Sequence, residues 1–179
     1  MLFYPGVMKR YLPDGQRGMT LIEILLVITI TAILSLTGIS GWQNYRQRAA
    51  LEQSSAGLLA FLTRVQATAN WRNQTYLLQV GKLGTRGCIA ASQTKRDGEC
   101  DSDSGLRFVL PESTIGLEVS HSDIGFGFYG IRNTAGTGHI VVSNQAGRVK
   151  VILSAKGRLR RCSESINGQQ PYLPGITPC

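Results

Sequence analysis

The chain has 179 residues, 42% of them hydrophobic, and a formal net charge of +8. That length and apolar content suffice for one packed soluble domain, and no internal repeat or low-complexity segment argues for a solenoid or a disordered chain. Lys9, Arg10 and Arg17 against Asp14 put only +2 in the first eighteen residues, so the remainder keeps +6 and hints at a polyanionic partner.

In chain order, Lys9, Arg10 and Arg17 lead to Gly18, after which Leu21 to Trp42 form an apolar run whose one charge is Glu23. At 1.5 Å per residue this run spans roughly 33 Å as a helix, enough to cross a hydrocarbon core of about 30 Å. A secretory signal peptide would place its cleavage site after a short apolar core, behind small residues. Here the small residue, Gly18, precedes the run. An acid inside a membrane segment is costly and calls for a partner, unless it snorkels to the membrane edge.

Beyond Trp42 the helical period continues through Leu51, Leu58, Leu62, Val65 and Ala69, with Arg48, Glu52, Gln53, Arg64 and Gln66 among the polar positions between them. No proline interrupts the chain between Pro13 and Pro111. The pattern predicts one helix from about Thr20 to Trp71, apolar all round at first and amphipathic afterwards, its stripe packed on a sheet. Gly38 and Gly41 loosen it near the end of the apolar half.

From Thr75 the period shortens. Segments rich in β-branched and aromatic residues, 75–80, 87–91, 106–110, 115–119, 125–129, 139–143 and 148–154, alternate with Gly, Asn, Asp or Ser turns and read as strands. Asn144-Gln145-Ala146-Gly147 joins the last two as a four-residue hairpin loop. The sum is an α+β domain, a long helix packed on an antiparallel sheet, followed by a loop-like tail with Pro171, Pro174 and Pro178.

Four cysteines, Cys88, Cys100, Cys162 and Cys179, allow three pairings. Cys88 with Cys100 and Cys162 with Cys179 are favoured, since each would close a short polar segment and contribute up to about 3 kcal/mol. A zinc site lacks a C-x-x-C pair, and no metal or other cofactor is expected. Gly125-Phe126-Gly127-Phe128-Tyr129-Gly130 satisfies G-x-G-x-x-G but lies among strand-like residues, with Lys150 and Val151 where an acidic ribose contact belongs. His121, Ser122 and Asp123 are merely adjacent, so His121 reads as a loop residue and His139 as a strand residue. Asn73-Gln74-Thr75 is a sequon frequent by chance. Nothing here argues for an enzyme.

Charge is unevenly placed. Asp97, Glu99, Asp101 and Asp103 form one acidic loop, whereas Arg148, Lys150, Lys156, Arg158, Arg160 and Arg161 occur with no acid between them. Period-two alternation would set Arg158 and Arg160 on one face of an extended strand, forming with Arg148 and Lys150 a stripe able to neutralise phosphates. The alternative is that these bases protect an edge strand and pair with acids such as Glu164.

The leader and run, from the bases through Gly18, Met19 and Glu23, resemble the class III leader of type IV prepilins and of type II secretion pseudopilins. The resemblance implies cleavage by a prepilin peptidase between Gly18 and Met19, methylation of the new terminus, and pairing of Glu23, then the fifth residue, with the Met19 amine of a neighbouring subunit. Met19 stands where most members carry phenylalanine, and the proline of many major pilins is lacking. Gly157-Arg158-Leu159-Arg160 is similar to the G-R-x-R motif of FimT-like minor pilins that bind double-stranded DNA in natural transformation. Residues 130–140 and 154–160 look like those of prepilin peptidase-dependent minor pilins of the FimT and GspH group.

The type IV pilin-like fold so implied divides into a leader (1–18), a transmembrane half-helix (19–42), an amphipathic periplasmic half-helix (43–73) and a β-rich periplasmic head (74–179). Such a subunit crosses the inner membrane once and joins other minor pilins and the major pilin in a priming complex at the filament tip. The alternative is a minor pseudopilin of type II secretion without DNA binding. The periplasm is oxidising, which suits the disulfide reading.

Overall fold

The computed structural model describes residues 19–94, 100, 105–121, 125–130, 133–165 and 173–179, the side chains of 36–40 excepted. The proline-free stretch forms one helix, α1 (Leu21–Arg72). The Thr20 carbonyl accepts from the amides of Glu23 at 3.0 Å and Ile24 at 3.2 Å, and the Glu23 carboxylate lies in the first turn, where the helix dipole favours an anion. Asn73 ends the helix with φ 51°, a left-handed conformation that asparagine tolerates, while the Gln74 amide donates to the Ala69 carbonyl at 3.1 Å.

The chain divides into two compact units, Met1–Gly41 and Trp42–Cys179. In the first, every described side chain from Met19 to Ser35 is exposed. In the second, Leu51, Leu58, Leu62, Val65 and Ala69 of α1 are buried in one core with Tyr76, Ile89, Phe128, Ile140, Val149 and Val151. That stripe is the one the helical period marks.

Among the described residues nine strands follow: β1 (Tyr76–Leu83), β2 (Arg86–Ser92), β3 (Arg107–Val109), β4 (Gly116–His121), β5 (Gly127–Tyr129), β6 (Thr134–Ala135), β7 (Gly138–Asn144), β8 (Gly147–Leu153) and β9 (Leu159–Glu164). They make two sheets rather than one, ordered β3-β2-β1-β5-β6 and β4-β7-β8-β9, and every strand pairing is antiparallel. The two-residue β6 carries too little pattern to be read in advance. The β7–β8 loop is Gln145 and Ala146, two residues instead of four, because Asn144 and Gly147 already face each other in the ladder. The Asn144 side-chain oxygen accepts from the Ala146 amide at 2.8 Å and holds that tight turn.

In β8 the burial alternates along the strand, so Val149, Val151 and Leu153 enter the core while Arg148, Lys150 and Ile152 face outward. Disulfides link Cys88 to Cys100 and Cys162 to Cys179, at sequence separations of 12 and 17. The second ties down the tail: the Ser163 amide donates to the Thr177 carbonyl at 2.8 Å, and the Cys179 amide to the Ser163 carbonyl at 3.1 Å. The tail thereby covers part of the outer edge of β9 and seats Leu173 and Ile176 in the core.

Candidate functional site

Two regions hold the candidate residues. At the amino end, Met19 is exposed and Glu23 lies in the first turn of α1, on a segment whose described side chains from Met19 to Ser35 are exposed. Gly18 and the leader bases lie outside the described residues. No described helical stretch is long and apolar enough to cross a membrane.

The second region is the outward face of β4-β7-β8-β9. Strand register sets Arg148 opposite Glu164, Lys150 opposite Cys162 and Ile152 opposite Arg160, so Arg160 shares a face with Arg148 and Lys150. Two bases of the expected stripe are nevertheless paired with acids. Arg148 donates to Glu118 at 2.9 Å and approaches Glu164 at 3.5 Å, while Lys150 donates to Glu164 at 2.7 Å. The Lys150 hydrogen bond holds the Glu164 carboxyl below the usual glutamate range; partial burial opposes this, and the charges of Lys150, Arg148 and His139 add to it. Glu118 on β4 is the partner that sequence could not supply, because β7 separates β4 from β8 in the sheet.

Arg161 is also displaced from the stripe. One residue out of phase with Arg160, it turns inward and donates to the Ser55 hydroxyl of α1 at 3.4 Å. Lys156, Arg158 and Arg160 remain, all exposed, grouped at the β8–β9 turn and without an acid partner among the described residues.

Gly157 builds that turn. It has φ +70°, and a Cβ there would stand 2.7 Å from Gln66 Nε2 and 2.8 Å from the Asn133 carbonyl oxygen. Gln66 Nε2 donates to the Gly157 carbonyl at 2.7 Å and to Asn133 Oδ1 at 3.0 Å, and Asn70 donates to the same Oδ1 at 2.9 Å. Gln66, Asn70 and Asn133 thus fasten the arginine turn to α1, through contacts 63 to 91 residues apart that leave no local signal.

The discarded motifs have structural explanations. A Cβ at Gly127 would strike the Tyr76 carbonyl, and one at Gly130 would strike the backbone of Ala69 and Gln74, so the G-x-G-x-x-G glycines let β5 pass close to β1 and the end of α1. His121 ends β4 instead of lying in a loop, because its backbone pairs with Gly138. His139 lies on β7. Ser122, Asp123 and the acidic residues Asp97, Glu99, Asp101 and Asp103 lie outside the described residues. No metal-binding group of His, Cys, Asp or Glu occurs among the described residues.

Residues 14–39 match the prokaryotic N-terminal methylation motif. The long helix packed on antiparallel sheets agrees with a type IV pilin-like fold. The chain is 46% identical over 56 residues to prepilin peptidase-dependent protein D of Escherichia coli (strain K12), covering 31% of this chain and 38% of that protein. Over 87 residues it is 28% identical to an uncharacterised protein of Haemophilus influenzae (strain ATCC 51907 / DSM 11121 / KW20 / Rd), covering 48% of this chain and 51% of that protein. The chain therefore spans between about a third and a half of the curated relatives it matches. No solved structure matches it significantly.

Proposed function

We propose that this pilin-like chain is a membrane-anchored minor pilin that enters a filament through the first half of α1 and takes part in starting its assembly. The observation that carries the reading is the exposed apolar segment inside the methylation-motif match, with Glu23 as its one acid among the described residues 19–35. Uncovered surface of that kind requires lipid or neighbouring helices. Prepilin peptidase cleaves between Gly18 and Met19; the inner membrane holds the helix before assembly and the head lies in the periplasm. Glu23 then pairs with the Met19 amine of an adjacent subunit, where a low dielectric strengthens the attraction.

Glu23→Ala should be cleaved and inserted normally but be missing from sheared filaments, as followed by immunoblot. Normal incorporation refutes the pairing. Recovery in a secretion pseudopilus instead of a pilus would favour the alternative role.

A second reading is double-stranded DNA binding at Lys156, Arg158 and Arg160, favoured by their exposure at one turn without acid partners among the described residues. Arg148, Lys150 and Arg161 drop out of that interface because their side chains are engaged elsewhere.

A further inference from the structure

A cavity of about 250 Å³ lies between the first turns of α1 in the second unit, the β7–β8 turn and the segment before β4; it is lined by Gln43, Arg46, Gln47, Glu112, Thr114 and Asn144, together with Gln145. Its walls are held in place. Asn144 donates to the Gln47 carbonyl at 2.7 Å, Gln47 donates to the Gln145 side chain at 2.9 Å, and Thr114 donates to one oxygen of Glu112 at 3.1 Å. Arg46 and Glu112 line the same space without pairing with each other. The cavity therefore offers one cation and one anion that are not paired with each other, together with side-chain amide groups.

Its place in the chain identifies what such a pair would meet. Trp42 closes the apolar run, and Trp42 and Tyr45 stand 61% and 65% exposed with ring centroids 6.0 Å apart. Exposed Trp and Tyr at the end of an apolar helix are the side chains that settle at the level of lipid headgroups. Arg46 follows Trp42 by one helical turn, so the cavity begins where that interface would lie.

We infer that this cavity binds the headgroup of a membrane phospholipid of the phosphoethanolamine class, an inference that rests on the membrane-anchored reading above. The Arg46 guanidinium takes the phosphate, matching its planar fork to phosphate oxygens. The ammonium donates to Glu112 and to the side-chain oxygens of Gln43 and Asn144. A choline headgroup lacks the N–H donors for those acceptors, and a glycerol headgroup lacks the charge for Glu112. Binding would hold the head against the bilayer before the subunit is extracted into a filament.

The test uses the full chain in detergent, with retained lipid counted by native mass spectrometry after addition of phosphatidylethanolamine, phosphatidylcholine or phosphatidylglycerol. Wild type should retain phosphatidylethanolamine preferentially. Arg46→Ala should lower retention about tenfold, the range for one lost charge-assisted contact. Glu112→Gln should abolish the preference over phosphatidylglycerol, and Arg48→Ala, an exposed base outside the cavity, should change nothing. Equal retention by wild type and Arg46→Ala, or displacement of the lipid by an equal concentration of soluble phosphoethanolamine, overturns the proposal. A parallel measurement in nanodiscs, with Trp71→Phe leaving Trp42 as sole tryptophan, separates the two readings. Quenching of Trp42 by brominated lipid, with equal retention, sinks the headgroup site alone; an unquenched Trp42 sinks the membrane reading and the site with it.

Discussion

Leu25, Leu26 and Ile28 in the first half of α1 are exposed, whereas Leu51, Leu58 and Leu62 further along the same helix are buried. The residue types hardly differ; their arrangement does. A helix apolar on every side has no single face to offer a sheet and needs an apolar surround, while one with a stripe can be completed by its own domain. The contrast teaches that the head draws part of its core from the second half of α1, while the described side chains of the first half stay outside that core.

Truncating one leucine on each side would break that division if it is wrong. Leu62→Ala should destabilise the head by about 2 to 5 kcal/mol, through lost burial and the cavity left behind. Leu26→Ala should change its unfolding by less than about 0.5 kcal/mol. Chemical denaturation followed by near-ultraviolet circular dichroism compares the two; equal losses would show that both halves serve the head.

The tail supplies the next largest effect. Cys162 and Cys179 close a 17-residue separation and hold Leu173 and Ile176 in the core. Replacing both cysteines by serine should cost about 3 kcal/mol on loop-closure grounds. Hydrogen exchange should then rise at Ser163 and Cys179, whose backbone groups bond the tail to β9. Unchanged protection there would mean that packing alone holds the tail.

How much of this was open to sequence reasoning depended on the range of the interaction. The 3.6 period marks Leu51 to Ala69 as a buried stripe, and alternation marks β8, because both signals are local. The β9 segment shows no such alternation: its inward positions are Leu159, Arg161 and Ser163, a polar set that α1 and the tail accommodate. The ion pair of Arg148 with Glu118 and the clamp of Gln66 and Asn133 on Gly157 join distant segments, so six bases that look equivalent in the sequence divide only when the sheet forms. The signal at Glu23 is also local, an acid in an apolar run inside residues 14–39, which match the methylation motif.

The paired and unpaired bases allow a finer comparison. Glu164 titrates below its usual range when folded, so it contributes stability above its unfolded pKa, and that contribution is lost as pH falls through the folded value. Thermal midpoints of wild type should therefore drop on acidification below about pH 5 more than those of Glu164→Gln. At neutral pH the variant should be about 0.5 to 1 kcal/mol less stable, as befits a partly exposed network. Parallel pH profiles would place the acid sensitivity elsewhere.

Lys156, Arg158 and Arg160 should behave in the reverse way. Because Arg158 and Arg160 are exposed without an acid partner among the described residues, the Arg158→Ala, Arg160→Ala double variant should leave unfolding within about 0.5 kcal/mol of wild type. If these two side chains meet phosphates, duplex DNA affinity should fall and the salt dependence of binding should flatten by about two ions released. Arg148→Ala with Lys150→Ala supplies the converse: lower stability, through the orphaned Glu118 and Glu164, with the salt slope unchanged. A double variant at the turn that binds DNA with the wild-type slope would reduce the arginine turn to edge protection, and would leave the outer face of the sheet without a nucleic-acid role.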